Sequence, residues 1–214
     1  YARNCEVRRI EKVEAQEFLN RNHSYGDAAC KYRYGLFLKR HTGHIAAEMG
    51  FPIRSGMTDE VKNLSEGTLI AVATFSNARR WLKEGKEIRS YEWTRYASLP
   101  DLRVSGGMGK MLKAFIKEVH PDDIMSYADL EWSEGEVYER LGFDAETRKE
   151  PVTFIINPLT WERKAIRRSP VKPGMTEEKP GMAEGDNVIP DQIGDLFFRN
   201  FGSRKFRLKL TDYK

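Results

Sequence analysis

The chain has 214 residues, 40% hydrophobic and 32% charged, with a net charge of +4 and a pI near 9.0. That suffices for one sizeable core with an appendage. No apolar run approaches the ~20 residues of a membrane-spanning helix, and a mildly basic balance permits a polyanionic partner without demanding one. The two cysteines, Cys5 and Cys30, match no metal or redox spacing, and the first residues carry no signal-peptide pattern. The setting expected from this is cytoplasmic, with both thiols as small apolar fillers.

Cys5 to Lys12 alternates as a first strand, and Val13 to Asn22 reads as a helix with Val13, Phe18 and Leu19 inward. A polar turn, Asn22 to Gly26, follows, and Tyr32 to Lys39 is a second strand. Arg40 to Glu66 reads as a long hairpin connection or insertion. Thr68 to Ser76 is β-branched and apolar, a buried strand. Asn77 to Gly85 reads as a turn, and Ile88 to Ala97 as the next strand.

The most informative stretch comes next, Val104-Ser-Gly-Gly-Met-Gly-Lys110. Behind it Met108, Met111, Leu112, Phe115, Ile116 and Val119 share one face of a helix, with Lys110, Lys113 and Lys117 on the other. A strand, a glycine turn and a helix start together make an anion cradle. The first-turn N–H groups lack internal partners, the macrodipole is positive there, and glycine lets a phosphate approach the backbone. Lys110 adds a full charge.

Ile124 to Asp129 is a further strand, Gly135 to Arg140 a short helix ending at Leu141-Gly142-Phe143, and Val152 to Ile156 another strand. Ser169 to Asp195 is rich in Pro and Gly and reads as an extended or disordered excursion. Phe197 to Leu210 returns to strand-like basic sequence, and the alternation of Phe206, Leu208 and Leu210 favours pairing with the last strand of the sheet. Mixed strand and helix order in one core implies an α/β or α+β class. The organisation expected is a domain over 1–162, an excursion over 163–195 and a basic tail over 196–214.

The element order, the turn Gly106-Gly-Met-Gly109 and the later Val137-Tyr-Glu-Arg-Leu-Gly-Phe143 resemble the acyl-CoA N-acyltransferase superfamily, the GNAT fold. A narrower resemblance covers roughly residues 15–160. Phe18-Leu-Asn-Arg-Asn-His23, Tyr34-Gly-Leu-Phe37, Ala71 to Phe75, Glu92-Trp-Thr-Arg95, Val104-Ser-Gly-Gly107, Ser126-Tyr-Ala-Asp129 with Trp132-Ser133, and Tyr138 to Phe143 look like phage-associated proteins related to the Mom DNA-modification acyltransferases. The resemblance implies a mixed central sheet flanked by helices, with acetyl-CoA or another acyl-CoA as cofactor. Its pyrophosphate would sit on Val104, Gly106, Gly107, Met108, Gly109 and Lys110. Val104 stands where the family has Gln or Arg, with Arg103 one residue off. The acceptor it implies is an amine, in the Mom-like case a nucleobase in DNA.

Acyl transfer needs a base for the nucleophile, a donor for the oxyanion and an acid for the leaving thiolate. Tyr138 is the candidate acid, with a tyrosine packed under the sheet as the alternative. Glu92 is the candidate base or an edge salt bridge. Strand alternation separates Glu92 from Arg95 unless a bulge brings both to one cleft. Ser126 polarises acceptor or carbonyl and Asp129 orients Arg95 or a substrate amine, or either satisfies buried backbone. His23 ends the first helix, as active-site group or cap. His41-Thr-Gly-His44 has no second pair at zinc spacing and no G-x-S-x-G elbow surrounds Ser126, so neither a metal nor a hydrolase triad is expected. Basic residues cluster at Arg163 to Arg168 and Arg199 to Lys209. There Arg204, Lys205 and Arg207 between phenylalanines suit nucleic-acid phosphates, or guard an edge strand. The rivals to a nucleobase acyltransferase are an acetyltransferase of a small amine or protein, and a non-catalytic nucleic-acid-binding module on the same scaffold.

Overall fold

The computed structural model describes residues 1–39, 64–100, 102–158, 160, 163–166 and 196–213. Most of the expected 40–66 connection and of the 163–195 excursion, with His41 and His44, lies outside the described residues. Two compact units are present. The first comprises Tyr1–Tyr127, Glu136–Thr147 and Lys205–Lys214, and the second Ala128–Gly135 and Arg148–Arg204.

A short 3-10 turn, Ala2–Asn4, leads into β1 (Cys5–Arg9), α1 (Lys12–Asn22), β2 (Tyr32–Leu38) and β3 (Leu69–Phe75). Then come β4 (Arg79–Lys83), β5 (Lys86–Ser98), α2 (Gly107–Val119), β6 (Asp123–Asp129), α3 (Glu136–Arg140) and β7 (Asp144–Lys149). The chain continues with β8 (Thr153–Ile156), β9 (Arg163–Ala165), β10 (Leu196–Arg199) and β11 (Ser203–Lys209). The large sheet runs β1-β2-β3-β5-β6-β11-β7, with β4 as a hairpin arm on β5, and is mixed because β5 and β6 are parallel. The α+β class with a mixed central sheet and flanking helices is therefore as expected. In the second unit β10, β8 and β9 form a small antiparallel sheet of their own.

Two helices cover opposite faces of the large sheet. Ala15, Phe18 and Leu19 recur at i, i+3 and i+4 and bury against Val72 and Ala97. That face excludes Val13, expected inward, which is 64% exposed. Phe115 of α2 lies on the other face. Its ring stacks on Phe75 at 3.9 Å and meets Tyr32, Tyr34 and Tyr91 edge-on. Val72 and Phe75 are three residues apart on β3, so their side chains point oppositely. Burying a ring of this size contributes roughly 2–3 kcal/mol.

Three readings are corrected. Asn77 to Gly85, expected as a turn, contains β4, joined to β5 by Glu84 and Gly85, both at positive φ (51° and 77°). β7 was not expected, because Asp-Ala-Glu-Thr-Arg-Lys offers no apolar alternation; its Glu146 is held by Lys205 and Arg207 of β11. The tail is two strands broken at Asn200-Phe201-Gly202, and only β11 enters the large sheet, between β6 and β7.

Candidate active site

β5 and β6 pair at three positions, Ser90↔Asp123, Tyr91↔Ile124 and Glu92↔Met125. Beyond Glu92 the register stops, while β5 continues to pair with β3 on its other edge as far as Ala71↔Ser98. The two parallel strands therefore fork towards their C-terminal ends. Backbone groups in a fork lose their ladder partners and must find others. Ser126 meets this demand at the vertex: its Oγ lies 3.1 Å from Trp93 O across the gap and 2.9 Å from the Tyr138 hydroxyl.

α3 delivers Tyr138 to that vertex. The Tyr138 ring stacks on Phe206 and meets Trp93 and Phe143 edge-on. Gly142 at φ 88° ends the helix and turns Phe143 back, its N–H donating to Tyr138 O. Burial pushes the phenol pKa up and Ser126 partly opposes this, so Tyr138 keeps its proton at neutral pH. The tyrosine expected as acid is thus packed beside the sheet with its hydroxyl directed at a side chain of the fork.

Glu92 and Arg95 come together through a bulge. Thr74 pairs with Arg95 but Phe75 with Trp93, so Thr94 is an extra residue on β5. One extra residue inverts the alternation, which places Glu92 and Arg95 on the α1 face. Thr94 turns its hydroxyl to Thr74 Oγ1 at 2.7 Å. Arg95 Nε donates to Gly26 O at 3.1 Å and Nη1 to Thr94 O at 2.9 Å. Burial pulls the Arg95 pKa down, and Glu92, Asp27 and Tyr25 pull it back up. Glu92 accepts from Arg79 Nη2 at 3.2 Å, and its strand position is clamped by Ser76 through two bonds of 2.9 Å.

His23 caps the end of α1. Its Nδ1 accepts from the Tyr25 N–H at 3.1 Å, which leaves the hydrogen of the neutral ring on Nε2. Burial, and secondarily the Arg95 charge, lower its pKa to about 4. The α1 face thus gathers His23, Arg95 and Glu92, while Ser126 and Tyr138 gather at the fork. Asp129 belongs to the second unit, where it accepts from the Glu131 N–H through Oδ1 and from the Trp132 and Ser133 N–H groups through its carbonyl. It forms a turn there.

The glycine turn is an uncapped helix start. Gly106 is the N-cap at φ 77°, with no side-chain cap, and Lys110 N–H returns to Gly106 O. The first-turn N–H groups of Met108 and Gly109 face no helical carbonyl. A phosphate oxygen or pyrophosphate fits such a terminus. Two of the expected contacts are different. Val104 is buried and lies beside Gly107, where a Cβ would come within 3.3 Å of it and 3.2 Å of Leu36. Gly107 thus sits in close packing of α2 on the sheet, where a Cβ would require its neighbours to give by a few tenths of an ångström, and Val104 is a core residue. Lys110 Nζ donates to Ala2 O at 2.9 Å and Cys5 O at 2.6 Å, tying the N-terminal turn to α2. Its charge is engaged by carbonyls.

The C-terminal cations are engaged too. Lys205 Nζ lies 2.6 Å from Glu146 Oε2, and Arg207 bridges Glu146 at 2.6 Å and the fully buried Asp123 at 2.9 Å. Ser90 and Tyr213 hydroxyls also donate to Asp123. Lys205 and Arg207, expected at nucleic-acid phosphates, both neutralise carboxylates within the sheet. Arg204 lies in the second unit and is half-buried. Sequence reasoning missed Arg79, Asp27 and the Trp93 carbonyl. The doublet Arg79-Arg80 ahead of Trp81 was a signal for the first, whereas a backbone carbonyl has none.

No protein-family model and no curated protein match the sequence. Solved structures give distant likenesses. One is the NatC complex bound to Gag peptide and CoA, at 12% identity over 97% of this chain and 99% of that one, TM-score 0.45. A second is YncA, a putative acetyltransferase from Salmonella typhimurium with acetyl-CoA, at 12% identity over 98% and 96%, TM-score 0.42. A third is the KacTA–DNA complex, at 18% identity over 67% and 86%, TM-score 0.36.

Proposed function

We propose that this chain is an acyl-CoA-dependent N-acyltransferase that moves an acyl group to an amine. The observation that carries the reading is the forked pair β5 and β6 with the Ser126–Tyr138 hydroxyl pair at its vertex, 2.9 Å apart. Acyl-CoA supplies an activated thioester when bound. The residues suited to hold its pyrophosphate are the uncapped backbone N–H groups of Met108 and Gly109, with Gly106 as the turn that exposes them. Tyr138 holds a proton that burial secures, and is the donor for the departing sulfur. Glu92 is the base that receives the amine proton, held in place by Ser76 and Arg79. Arg95 and neutral His23 frame the same face, and the His23 Nε2–H is the donor available to a developing oxyanion.

The acceptor suggested by the Mom-like resemblance is a nucleobase amine in DNA. Lys205 and Arg207 are paired with carboxylates, which favours an amine acceptor without restriction to DNA as its carrier. Calorimetry with acetyl-CoA tests the proposal, alongside mass spectrometry of amine acylation by the wild type and by Tyr138→Phe. Binding together with acylation that the variant loses supports it. Absence of acetyl-CoA binding by the folded wild type overturns it.

A further inference from the structure

A cavity of about 600 Å³ opens on the α1 face, within the range of small-molecule sites. Its wall includes Lys12, Asp27, Cys30, Arg33, Ser76 and Arg79. Three cations and one carboxylate give it a net positive lining. Within it Asp27 is unusual. Its Oδ1 is buried and has no hydrogen-bond partner among the described residues, although its backbone N–H is bonded to Asn20 Oδ1 at 2.9 Å. A buried carboxylate oxygen without a donor costs stability, on the order of 1–3 kcal/mol, so the Asp27 carboxylate borders the cavity with part of its hydrogen-bonding capacity unfilled.

The cations supply the complementary requirement. Arg33 spends one nitrogen on Cys30 O at 2.9 Å, and a guanidinium has five N–H donors, so others remain for an anion. Arg79 spends Nη2 on Glu92 and its side chain is 64% exposed. Lys12 stands at the first turn of α1. The pocket also connects to the proposed chemistry. Ser76 and Arg79, two of its walls, are bonded to Glu92, so the cavity is one side chain away from the base.

We propose that this cavity is the acceptor site, and that it takes a small amine bearing an anionic group, phosphate or carboxylate. The amine is received by the Asp27 carboxylate, and the anion by Arg33, Arg79 and Lys12. The assignment of the ligand as acceptor rests on the acyltransferase reading above, whereas the binding chemistry does not.

Cys30 gives a readout independent of activity. Its thiol lines the cavity and is half-buried, while Cys5 is fully buried, so alkylation by iodoacetamide followed by mass spectrometry reports on this wall. Burial raises the thiol pKa, and the reaction is run at mildly alkaline pH. The probes are phosphoethanolamine, β-alanine, ethanolamine and inorganic phosphate. At about four times its Kd a protecting ligand slows alkylation about fivefold, because the free pocket falls by that factor. Protection by phosphoethanolamine alone assigns the anion as phosphate, by β-alanine alone as carboxylate, and by both as either. Ethanolamine and phosphate separately are expected to protect less than the joined molecule. Asp27→Asn should reduce phosphoethanolamine or β-alanine to the protection given by the anion alone, and Lys12→Gln, on the exposed rim, should weaken every anionic probe. If neither zwitterionic probe protects the wild type, or if Asp27→Asn leaves discrimination for the amine intact, the proposal falls. Acetyl-CoA calorimetry on the same preparations separates the two readings. Protection without CoA binding leaves the pocket and removes the acyltransferase, whereas CoA binding without protection removes the pocket alone.

Discussion

Ser126 Oγ stands between two oxygens, Trp93 O at 3.1 Å and the Tyr138 hydroxyl at 2.9 Å, and has a single hydrogen to give. The serine hydroxyl is placed to donate to either oxygen and serves one at a time. Once Tyr138 has released its proton, the phenolate is the stronger acceptor and the serine hydroxyl turns to it, which is how Ser126 lowers the Tyr138 pKa. Trp93 O keeps that switch at the vertex of the fork.

Tyr138→Phe removes the proton donor and keeps the ring that stacks on Phe206. The expected result is a loss of about 10²-fold or more in kcat with KM within a few-fold, as for an interaction made in the transition state. Ser126→Ala should cost less in kcat and shift the alkaline limb of the pH–rate profile upward, because Ser126 lowers the Tyr138 pKa. Equal losses of kcat and thermal stability in Tyr138→Phe would indicate a packing role only.

His23 provides a titration with a definite sign. Its folded pKa is about 4, below the unfolded value near 6.5. Below the unfolded value the unfolded chain binds more protons, so the native state loses stability as pH falls from about 6.5 towards 4, and keeps the full contribution above that window. A histidine NMR titration should give a midpoint near 4 in the wild type and a higher one in Arg95→Met, which removes a neighbouring cation. His23→Asn should flatten the acid side of the stability curve. A wild-type midpoint near 6.5 would contradict the buried, cation-adjacent placement.

Much of this site is legible in the sequence, and the residues show why the remainder is not. The strand Leu69–Phe75 and the α2 stripe Met111, Leu112, Phe115 are continuous or periodic apolar patterns, so burial dictates them. Tyr138, Ser126, Glu92 and Arg95 are polar residues in apolar surroundings and stand out on that basis. The bulge at Thr94 is different. Nothing in Glu-Trp-Thr-Arg announces an extra residue, since it arises from pairing with β3 fifteen or more positions away. The partners of Lys110, Lys205 and Arg207 are likewise set by tertiary placement, two of the three through strands that fold back from the C-terminus. A cation in a sequence therefore reports charge, while its availability depends on carbonyls and carboxylates brought in from afar. β4 and β7 escaped notice because charged strands satisfy their backbone as well as apolar ones do, leaving hydropathy no trace.

Gly106 holds φ at 77°, where a Cβ costs roughly 1–2 kcal/mol, and the nearest obstacle to an added Cβ is Ala2 Cβ at 3.7 Å. The penalty is therefore conformational rather than steric. Gly106→Ala should lower the unfolding free energy by about that amount in a denaturant titration, and Gly106→Asn by less, since Asn tolerates the left-handed region. Acetyl-CoA affinity should follow the same order, because the angle at Gly106 sets where the Met108 and Gly109 N–H groups point. An Ala variant as stable as the wild type would mean that the turn relaxes without it.

The C-terminal strand is attached through a buried charge. Asp123 is fully buried, and Arg207, 16% exposed, is the cation nearest its carboxylate at 2.9 Å, with Ser90 and Tyr213 hydroxyls completing the shell. Removing one partner of such a pair leaves the other desolvated and uncompensated, a loss of about 3–5 kcal/mol. Arg207→Met should therefore destabilise the protein severely while keeping most of the side-chain volume. Asp123→Asn made in the Arg207→Met background should recover part of the loss, because an amide needs no cation, accepts from one of the two hydroxyls through its oxygen and donates to the other through its NH2. A double-mutant cycle by chemical denaturation reads the coupling directly. Additive effects would show that Arg207 contributes through Glu146 rather than through Asp123.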